Sequence, residues 1–132
     1  MCSSDLSNDS SHLLGEARLG LLLQRLAFGA GAMGAREMLE IATRGGAGVL
    51  GRSDIGALAP GLAADVVGFP LNGVAMAGAQ QDPLAALLFC QPPSVGFSVI
   101  HGQVRVRDGR PTGIDVAHLV DTHNRLARAL VT

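Results

Sequence analysis

The sequence contains no lysine, no tryptophan and no tyrosine, and arginine supplies all ten of its basic residues. Eleven acidic residues balance them and leave a formal net charge of −1 at pH 7. A chain with so little net charge has no electrostatic footprint for nucleic acid. We therefore expect no nucleic-acid partner.

Cysteine is scarce as well, because only Cys2 and Cys90 are present. Two cysteines make no disulfide framework, so a reduced, cytoplasmic location is expected. Apolar runs such as Leu19–Leu23 are far shorter than the ~20 residues that span a bilayer. Residues 1–11 lack the basic and apolar regions of a signal peptide. We expect no membrane association.

The composition is that of a chain that folds. It has 132 residues, of which 48% are hydrophobic and 16% are charged, and this is not the profile of a disordered protein.

The rest of the chain is arranged around the stretch Asp54–Phe69, here called the organising stretch. Pro60 presets φ and Gly61 tolerates a positive φ, so the pair predicts a tight turn. The apolar run Val66–Phe69 that follows is typical of a largely buried strand.

A long helix is predicted near the start, over residues 12–28, and Asp9, Ser10 and Ser11 before it are good N-cap residues. Its apolar residues fall on two stripes. One stripe consists of Leu13, Leu14, Ala17 and Leu21, and the other of Leu19, Leu22, Leu23 and Leu26. A helix that is apolar on so much of its circumference is expected to be buried on more than one side.

A second helix is predicted from about residue 34 to residue 44. Gly45 and Gly46 are expected to end it, with a short helical turn over residues 47–50. Glycine is the usual residue just beyond a helix C-terminus because it adopts a left-handed backbone without strain.

Shorter elements follow the predicted strand Val66–Phe69. A weak strand is predicted at Val74–Met76, inside a loop. A short helix is predicted over residues 82–89, with Asp82 as its N-cap and Pro83 at its first position. The proline pair at 92 and 93 is expected to force an extended segment.

A β-hairpin is the clearest pattern in the second half. The segments Ser94–Ile100 and Gln103–Arg107 alternate apolar and polar residues, and His101 and Gly102 form the two-residue turn between them. Asp108 and Gly109 predict a further turn.

The chain ends in a predicted helix, Asp115–Val131, with Asp115 as its N-cap. The whole pattern predicts a mixed α/β fold, with helices first and last and a small, mostly antiparallel sheet between them. The predicted strands are too few for a closed barrel.

The four histidines give no clear metal site. His12 and Glu16 share a helix face four residues apart, so a metal pair is conceivable, but a first-turn helix pair is the favoured interpretation. His118 and His123 point in different directions on one helix and cannot chelate together. His101 is interpreted as a turn residue.

Two further features have simple structural interpretations. Cys90 follows an apolar stretch and is interpreted as a small buried residue. The glycine-rich segment Gly45–Gly48 lacks a preceding strand and a lysine, so it is not a phosphate-binding loop.

Three segments carry a likeness to known proteins: SNDSSHLLGEARLGLLLQR (Ser7–Arg25), AREMLEIATRGGAGVLGR (Ala35–Arg52) and DPLAALLFC (Asp82–Cys90). They resemble the amidohydrolase superfamily, in its 8-oxoguanine and s-triazine aminohydrolase branch. The stretch Asp54–Phe69 resembles the place where such a chain leaves its barrel for a small β-sandwich.

The resemblance implies that the chain corresponds to the last third of such an enzyme. Residues 1–52 would be the terminal segment of a (β/α)8 barrel, with the end of its last strand and helices 12–28 and 34–50. Residues 53–110 would be part of a small composite β-sandwich with the short helix 82–89. Residues 111–132 would be a C-terminal helix.

The resemblance also implies a chemistry, the hydrolysis of a C–N bond on a purine-like or triazine-like ring. The family holds a divalent metal, usually zinc, through a His-x-His motif, further histidines and an aspartate, and the metal activates water. This sequence contains no His-x-His motif, so zinc is expected in the family but not in this chain alone.

The end of the family's last barrel strand reads roughly Asp-Gly-Ser-Ala-Ser-Asn-Asp, and residues 3–9 stand opposite it. The family's metal-ligand aspartate falls on Ser3, which cannot replace a carboxylate. Asp5 is a metal candidate only if the register slips by two residues. Asn8 and Asp9 match the family pattern and are candidates for substrate contact at the barrel mouth, with helix capping as the alternative. No catalytic residue is assigned.

Two functional hypotheses remain open. The first is the C-terminal part of a metal-dependent deaminase that is inactive alone. The second is a non-catalytic module that self-associates as a homo-oligomer, or that completes a barrel in trans with a missing N-terminal barrel portion. The apolar excess of helix 12–28 motivates the second, because large exposed apolar patches mark interfaces.

Overall fold

The computed structural model of the chain describes residues 12–90 and 94–131. Five α-helices and four strands occupy the described residues, and two short turns of other helix types lie between them. In chain order the elements are α1 (Leu13–Phe28), α2 (Ala35–Glu40), a π-helical turn (Ile41–Gly45), α3 (Gly46–Val49), β1 (Val66–Gly68), a 3-10 turn (Val74–Met76), α4 (Pro83–Phe89), β2 (Phe97–Ile100), β3 (Gln103–Arg107), β4 (Arg110–Pro111) and α5 (Val116–Val131). The predicted mixed α/β class is confirmed.

Helix α1 is capped by a histidine. The backbone nitrogen of Gly15 donates to Nδ1 of His12 at 3.4 Å, and this satisfies one of the free N–H groups of the first turn. The predicted caps Asp9, Ser10 and Ser11 are therefore wrong, because the helix begins at Leu13 and residue 12 occupies the cap position.

The two apolar stripes of α1 differ in their burial. Leu14, Ala17 and Leu21 are buried, in one cluster with Met38 of α2 and Leu88 of α4. The second stripe is exposed, with Leu19 at 51%, Leu22 at 41%, Leu23 at 54% and Leu26 at 84%. Leu13 was assigned to the first stripe but is half exposed, since it lies at the helix start beyond the reach of this cluster. Within the described residues, α1 is covered on one side only.

The second helical segment does not end at the glycine pair as predicted. Gly45 and Gly46 both keep right-handed helical angles, with φ of −61° and −60°, and the helix continues through the π-turn to Val49. The hydroxyl of Thr43 donates to the carbonyl of Leu39 at 2.7 Å. Such a bond to the preceding turn bends helices, and glycine tolerates the widened turn that results.

The turn in the organising stretch is confirmed. The nitrogen of Leu62 donates to the carbonyl of Ala59 at 3.1 Å, and Gly61 has a φ of +87°, which makes a type II turn with proline at its second position. The strand that follows is shorter than predicted, and it is only half covered because Val67 is 50% exposed.

The sheet is antiparallel with strand order β1-β2-β3-β4. The turn of the predicted hairpin is confirmed: His101 and Gly102 both have positive φ, at 51° and 71°, as a type I′ turn requires. The first strand of the hairpin is shorter than predicted, since it begins at Phe97 instead of Ser94. Between Ser98 and Val99 the register shifts by a bulge. Asp108 and Gly109 form the second turn, which returns the chain as the short edge strand β4.

The remaining predictions have different outcomes. Asp82 caps α4 by accepting from the nitrogen of Ala85 at 3.0 Å, as predicted. The predicted strand Val74–Met76 is wrong, because this segment is a 3-10 turn that buries Met76. The proline pair at 92 and 93 lies outside the described residues. The boundaries proposed at residues 52 and 110 stay predictions.

Helix α5 packs little against the rest of the described chain. Asp115 caps it as predicted, by accepting from the nitrogen of His118 at 3.0 Å. Of the side chains described on the helix, all except that of Thr122 are exposed. Its apolar face therefore points to solvent in this chain.

A core substitution on α1 tests the division between its two faces. Leu21 has no exposed surface, so we expect Leu21→Ala to lower the free energy of unfolding by about 2–5 kcal/mol. The matched control is Leu23→Ala on the exposed side, for which a change of no more than about 0.5 kcal/mol is expected. Urea unfolding followed by circular dichroism measures both, and equal losses would contradict the burial pattern.

A glycine substitution tests the packing of the loop on the π-turn. Gly56 has a φ of +90°, and a Cβ there would lie 3.0 Å from the Cβ of Ala47 and 3.1 Å from the Cα of Arg44. We expect Gly56→Ala to cost about 1–3 kcal/mol of unfolding free energy. Gly73→Ala is the control, because nothing lies within 4 Å of its added Cβ. A Gly56→Ala variant as stable as the control would refute this packing.

Candidate functional site

The residues predicted to contact a metal or a substrate lie outside the described part of the chain. These are Asp5, Asn8 and Asp9, all within residues 1–11, as is Ser3, on which the family's metal-ligand aspartate falls. Their roles therefore stay predictions. The site can be judged only from the donors and cavities of residues 12–90 and 94–131.

The histidines do not converge. His12 caps α1 through Nδ1. His101 is exposed in the hairpin turn, where its backbone nitrogen donates to Oδ1 of Asp65 at 2.7 Å. His118 and His123 are exposed on α5.

No group of three or more His, Cys, Asp or Glu side chains that could hold a metal ion occurs among the described residues. Cys90 is half-buried rather than buried as predicted, since it follows the last residue of α4 at the edge of the core, and it forms no disulfide. The donor set of the described residues does not fit a zinc site, so no reaction step through zinc is derived for them.

A cavity of about 380 Å³ lies where the helices meet the sheet. Its walls come from the start of α1, from α2 and the π-turn, from β1 and from α4. The apolar lining residues are Leu13, Leu14, Leu39, Ala42, Val67, Phe69, Leu87 and Val95, and the polar ones are His12 and Thr43. The volume suits a small molecule.

Two polar atoms of the cavity's lining residues already have hydrogen-bond partners. Nδ1 of His12 accepts from Gly15, and the hydroxyl of Thr43 donates to Leu39. The lining of the cavity is therefore mainly apolar. Sequence reasoning missed it because its walls come from segments up to 80 residues apart, and only the apolar periodicity of each segment was visible.

An ion pair joins Arg52 and Asp54. Nε of Arg52 donates to Oδ1 of Asp54 at 2.9 Å, and Nη2 donates to Oδ2 at 2.6 Å. The hydrogen bonds from Arg52 hold the pKa of the Asp54 carboxyl below its usual value, and Asp54 raises the pKa of the guanidinium. Both side chains are about half exposed, so the pair fixes the loop before the organising strand without forming a buried site.

The pair gives a pH prediction with a definite sign. Because the folded-state pKa of Asp54 is lowered, its contribution to stability is present above the unfolded-state pKa and is lost as the pH falls through the folded-state value. We expect Arg52→Gln to raise the pKa of the Asp54 carboxyl, as measured by NMR titration. The control variant is Arg36→Gln, on the exposed surface of α2, which should leave the Asp54 titration unchanged. An unchanged Asp54 titration in Arg52→Gln would show that the pair does not form in solution.

No helix among the described residues is long and apolar enough to cross a bilayer. This finding agrees with the short apolar runs of the sequence.

The chain is similar in sequence to several characterised hydrolases. It is 45% identical over 125 residues to 8-oxoguanine deaminase of Pseudomonas aeruginosa, covering 95% of this chain and 28% of that protein. It is 37% identical over 134 residues to hydroxydechloroatrazine ethylaminohydrolase of a Pseudomonas species, covering 95% of this chain and 27% of that protein. The chain thus spans little more than a quarter of the length of these relatives.

The fold is similar to solved structures as well. The atrazine chlorohydrolase TrzN of Arthrobacter aurescens, solved in complex with zinc, superposes with a TM-score of 0.83 at 38% identity. The match covers 91% of this chain and 27% of the chlorohydrolase chain. Residues 1–100 also match the profile of the amidohydrolase family. The chain therefore belongs to the amidohydrolase family, as the resemblance of its sequence to the aminohydrolase branch implied.

Proposed function

We propose that this chain is the C-terminal part of a zinc-dependent amidohydrolase that hydrolyses a C–N bond on a purine-like or triazine-like ring. The observation that carries the proposal is the 45% identity to 8-oxoguanine deaminase over nearly the whole chain. The similarity to hydroxydechloroatrazine ethylaminohydrolase supports the wider class of nitrogen heterocycles. The expected location is the cytoplasm.

The metal-binding side chains decide which part of the enzyme we assign to this chain and which part to the remaining polypeptide. The described residues bring together no metal-binding group, whereas the chlorohydrolase relative was solved in complex with zinc. We propose that the histidine ligands belong to polypeptide outside these 132 residues. This chain would supply the terminal barrel helices, through α1 to α3, and part of the β-sandwich, through β1 to β4.

The substrate-facing residues proposed for this chain are Asn8 and Asp9, which precede α1 and match the family pattern. Their side chains would hydrogen-bond the ring at the barrel mouth, and they would carry no proton in the reaction. Asp5 remains a second metal candidate, offset by two residues from the position at which Ser3 stands.

A second candidate function, a non-catalytic module that self-associates, is favoured by one observation. Helices α1 and α5 both leave large apolar side chains exposed, and contiguous apolar surface often marks an interface between proteins. The size distribution of the purified chain in solution separates this function from the first, since a monomer would count against self-association.

The enzymatic proposal is tested with the chain alone and with a chimera. We expect the purified 132-residue chain, supplied with zinc and 8-oxoguanine, to release no ammonia above the uncatalysed rate. A chimera in which this chain replaces the matching part of the Pseudomonas aeruginosa 8-oxoguanine deaminase should bind zinc and deaminate. In that chimera, Asn8→Ala with Asp9→Ala should lower kcat/KM by roughly tenfold or more, through the lost hydrogen bonds to the ring.

The control in the chimera is Glu40→Gln, on the exposed surface of α2, which should leave kcat/KM unchanged. Ammonia release by the chain alone, with stoichiometric bound zinc, would overturn the proposed division of labour. A chimera that folds and binds zinc but stays inert would overturn the deaminase assignment.

A further inference from the structure

His12 is the residue at which the chain enters α1, and it stands close in sequence to the proposed substrate contacts. Asp9 precedes it by three residues and Asn8 by four. We propose that His12 is a positioning residue for these two side chains, because it fixes the direction in which the preceding segment leaves the helix. This inference rests on the proposed function, to which the substrate roles of Asn8 and Asp9 belong.

The backbone changes direction at His12. Its φ of −110° and ψ of 103° are those of an extended residue, whereas the helix begins at Leu13. The dihedral angles of this one residue therefore set the angle between α1 and the segment before it. Because each residue adds up to about 3.3–3.6 Å of reach, a small rotation at His12 is magnified at Asn8 and Asp9.

Two hydrogen bonds hold His12 in this conformation. The backbone nitrogen of Gly15 donates to Nδ1 of the ring at 3.4 Å, and the backbone nitrogen of Glu16 donates to the His12 carbonyl at 3.1 Å. The first bond satisfies an N–H group that the helix itself leaves free, and the second is the first bond of the helical ladder. The side chain and the main chain of His12 are thus both tied to α1.

The surroundings of His12 are anchored in the core. His12 is half-buried and lines the cavity between the helices and the sheet, together with Leu39 of α2, Phe69 after β1 and Leu87 of α4. Leu14, two residues further on, belongs to the buried cluster of the three helices. The helix end that His12 caps is therefore held in place by packing, which lets a cap at this point orient the preceding chain.

The hydrogen bond to Gly15 limits what the ring can do in any other role. A ring nitrogen that accepts a hydrogen bond is unprotonated, so the neutral ring carries its proton on Nε2. Glu16 is the carboxylate on the same helix face, and no third donor among the described residues completes a metal site with this pair. The geometry thus favours a role through Asn8 and Asp9 over a role as a metal ligand.

The experiment separates the acceptor of His12 from the general stability of a capped helix. His12→Ala removes the acceptor, whereas His12→Asn replaces it with a side chain that is among the preferred N-caps. His12→Gly is a milder second variant, because glycine at an N-cap position costs little stability. The matched control is Asp82→Ala, which removes the cap of α4, where Asp82 accepts from the nitrogen of Ala85 at 3.0 Å.

Two sets of measurements are made on these variants. In the 132-residue chain, NMR gives the amide proton shift of Gly15 and the 15N NOE of Asn8 and Asp9, and circular dichroism gives the unfolding temperature. In the chimera with the Pseudomonas aeruginosa 8-oxoguanine deaminase, kcat and KM for 8-oxoguanine are measured separately.

The expected result distinguishes the two helix caps. Both alanine variants should lower the unfolding temperature by about 3 °C. Only His12→Ala and His12→Gly should shift the Gly15 amide proton upfield, lower the NOE of Asn8 and Asp9, and reduce kcat/KM by about tenfold through misplacement of the contacts to the ring. His12→Asn should restore kcat/KM to within about twofold of the parent.

Several outcomes would overturn the inference. A Gly15 amide proton or an NOE at Asn8 and Asp9 that does not respond to His12→Ala would show that the cap does not hold this segment. Equal kinetic losses in His12→Ala and Asp82→Ala would reduce the role of His12 to stability. A His12→Asn variant as impaired as His12→Ala would show that the acceptor is not what matters. An inert parent chimera would refute the proposed function, and the NMR measurements on the chain alone would still decide the positioning role.

Discussion

The structure depends on one apolar cluster, in which Leu21 of α1 is buried together with Met38 of α2 and Leu88 of α4. Leu21 and Leu88 have no exposed surface, and complete burial of such a side chain contributes about 1.5–3 kcal/mol. The three helices come from separate stretches of the chain, so this contact sets their mutual positions. Phe69, at the end of the organising strand, packs on the same cluster and thereby attaches the sheet to the helices.

The connection between helices and sheet also needs a close approach of two backbones. The π-turn at Ile41–Gly45 widens the second helical segment, and Gly56 from the following loop lies against it. A side chain at that position would collide with the helix backbone, so the absence of a Cβ permits the loop to turn toward the sheet. The glycines that were expected to end the helix instead allow it to continue in a distorted form.

The sequence predicted those features that are governed by neighbouring residues. The turn at Pro60 and Gly61 and the hairpin turn at His101 and Gly102 follow from local backbone preferences. So does the cap by Asp82, which needs only residues within one turn. The resemblance to the amidohydrolase family was confirmed because the matching segments cover most of the chain.

The errors arose where distant contacts decide the outcome. Met76 is buried in a segment that forms a 3-10 turn instead of a strand. Gly45 and Gly46 keep helical backbone angles, and the loop at Gly56 packs on the neighbouring residues Thr43, Arg44 and Ala47. The cavity beside His12 was not predicted, since no single segment reveals a space between four elements. The metal and substrate candidates, by contrast, lie in residues 1–11, outside the described residues, so their roles stay predictions from the sequence.

The family's chemistry and this chain's folding make opposite demands on the same residue types. A zinc site needs several histidines and carboxylates within bonding reach of one point, while a small domain uses polar side chains to end helices and fix loops. In this chain His12 and Asp82 cap helices, Asp54 pairs with Arg52, and Asp65 binds the hairpin turn. These donors are occupied by local structure at separate places. The described residues therefore bring together no donor set for a metal ion.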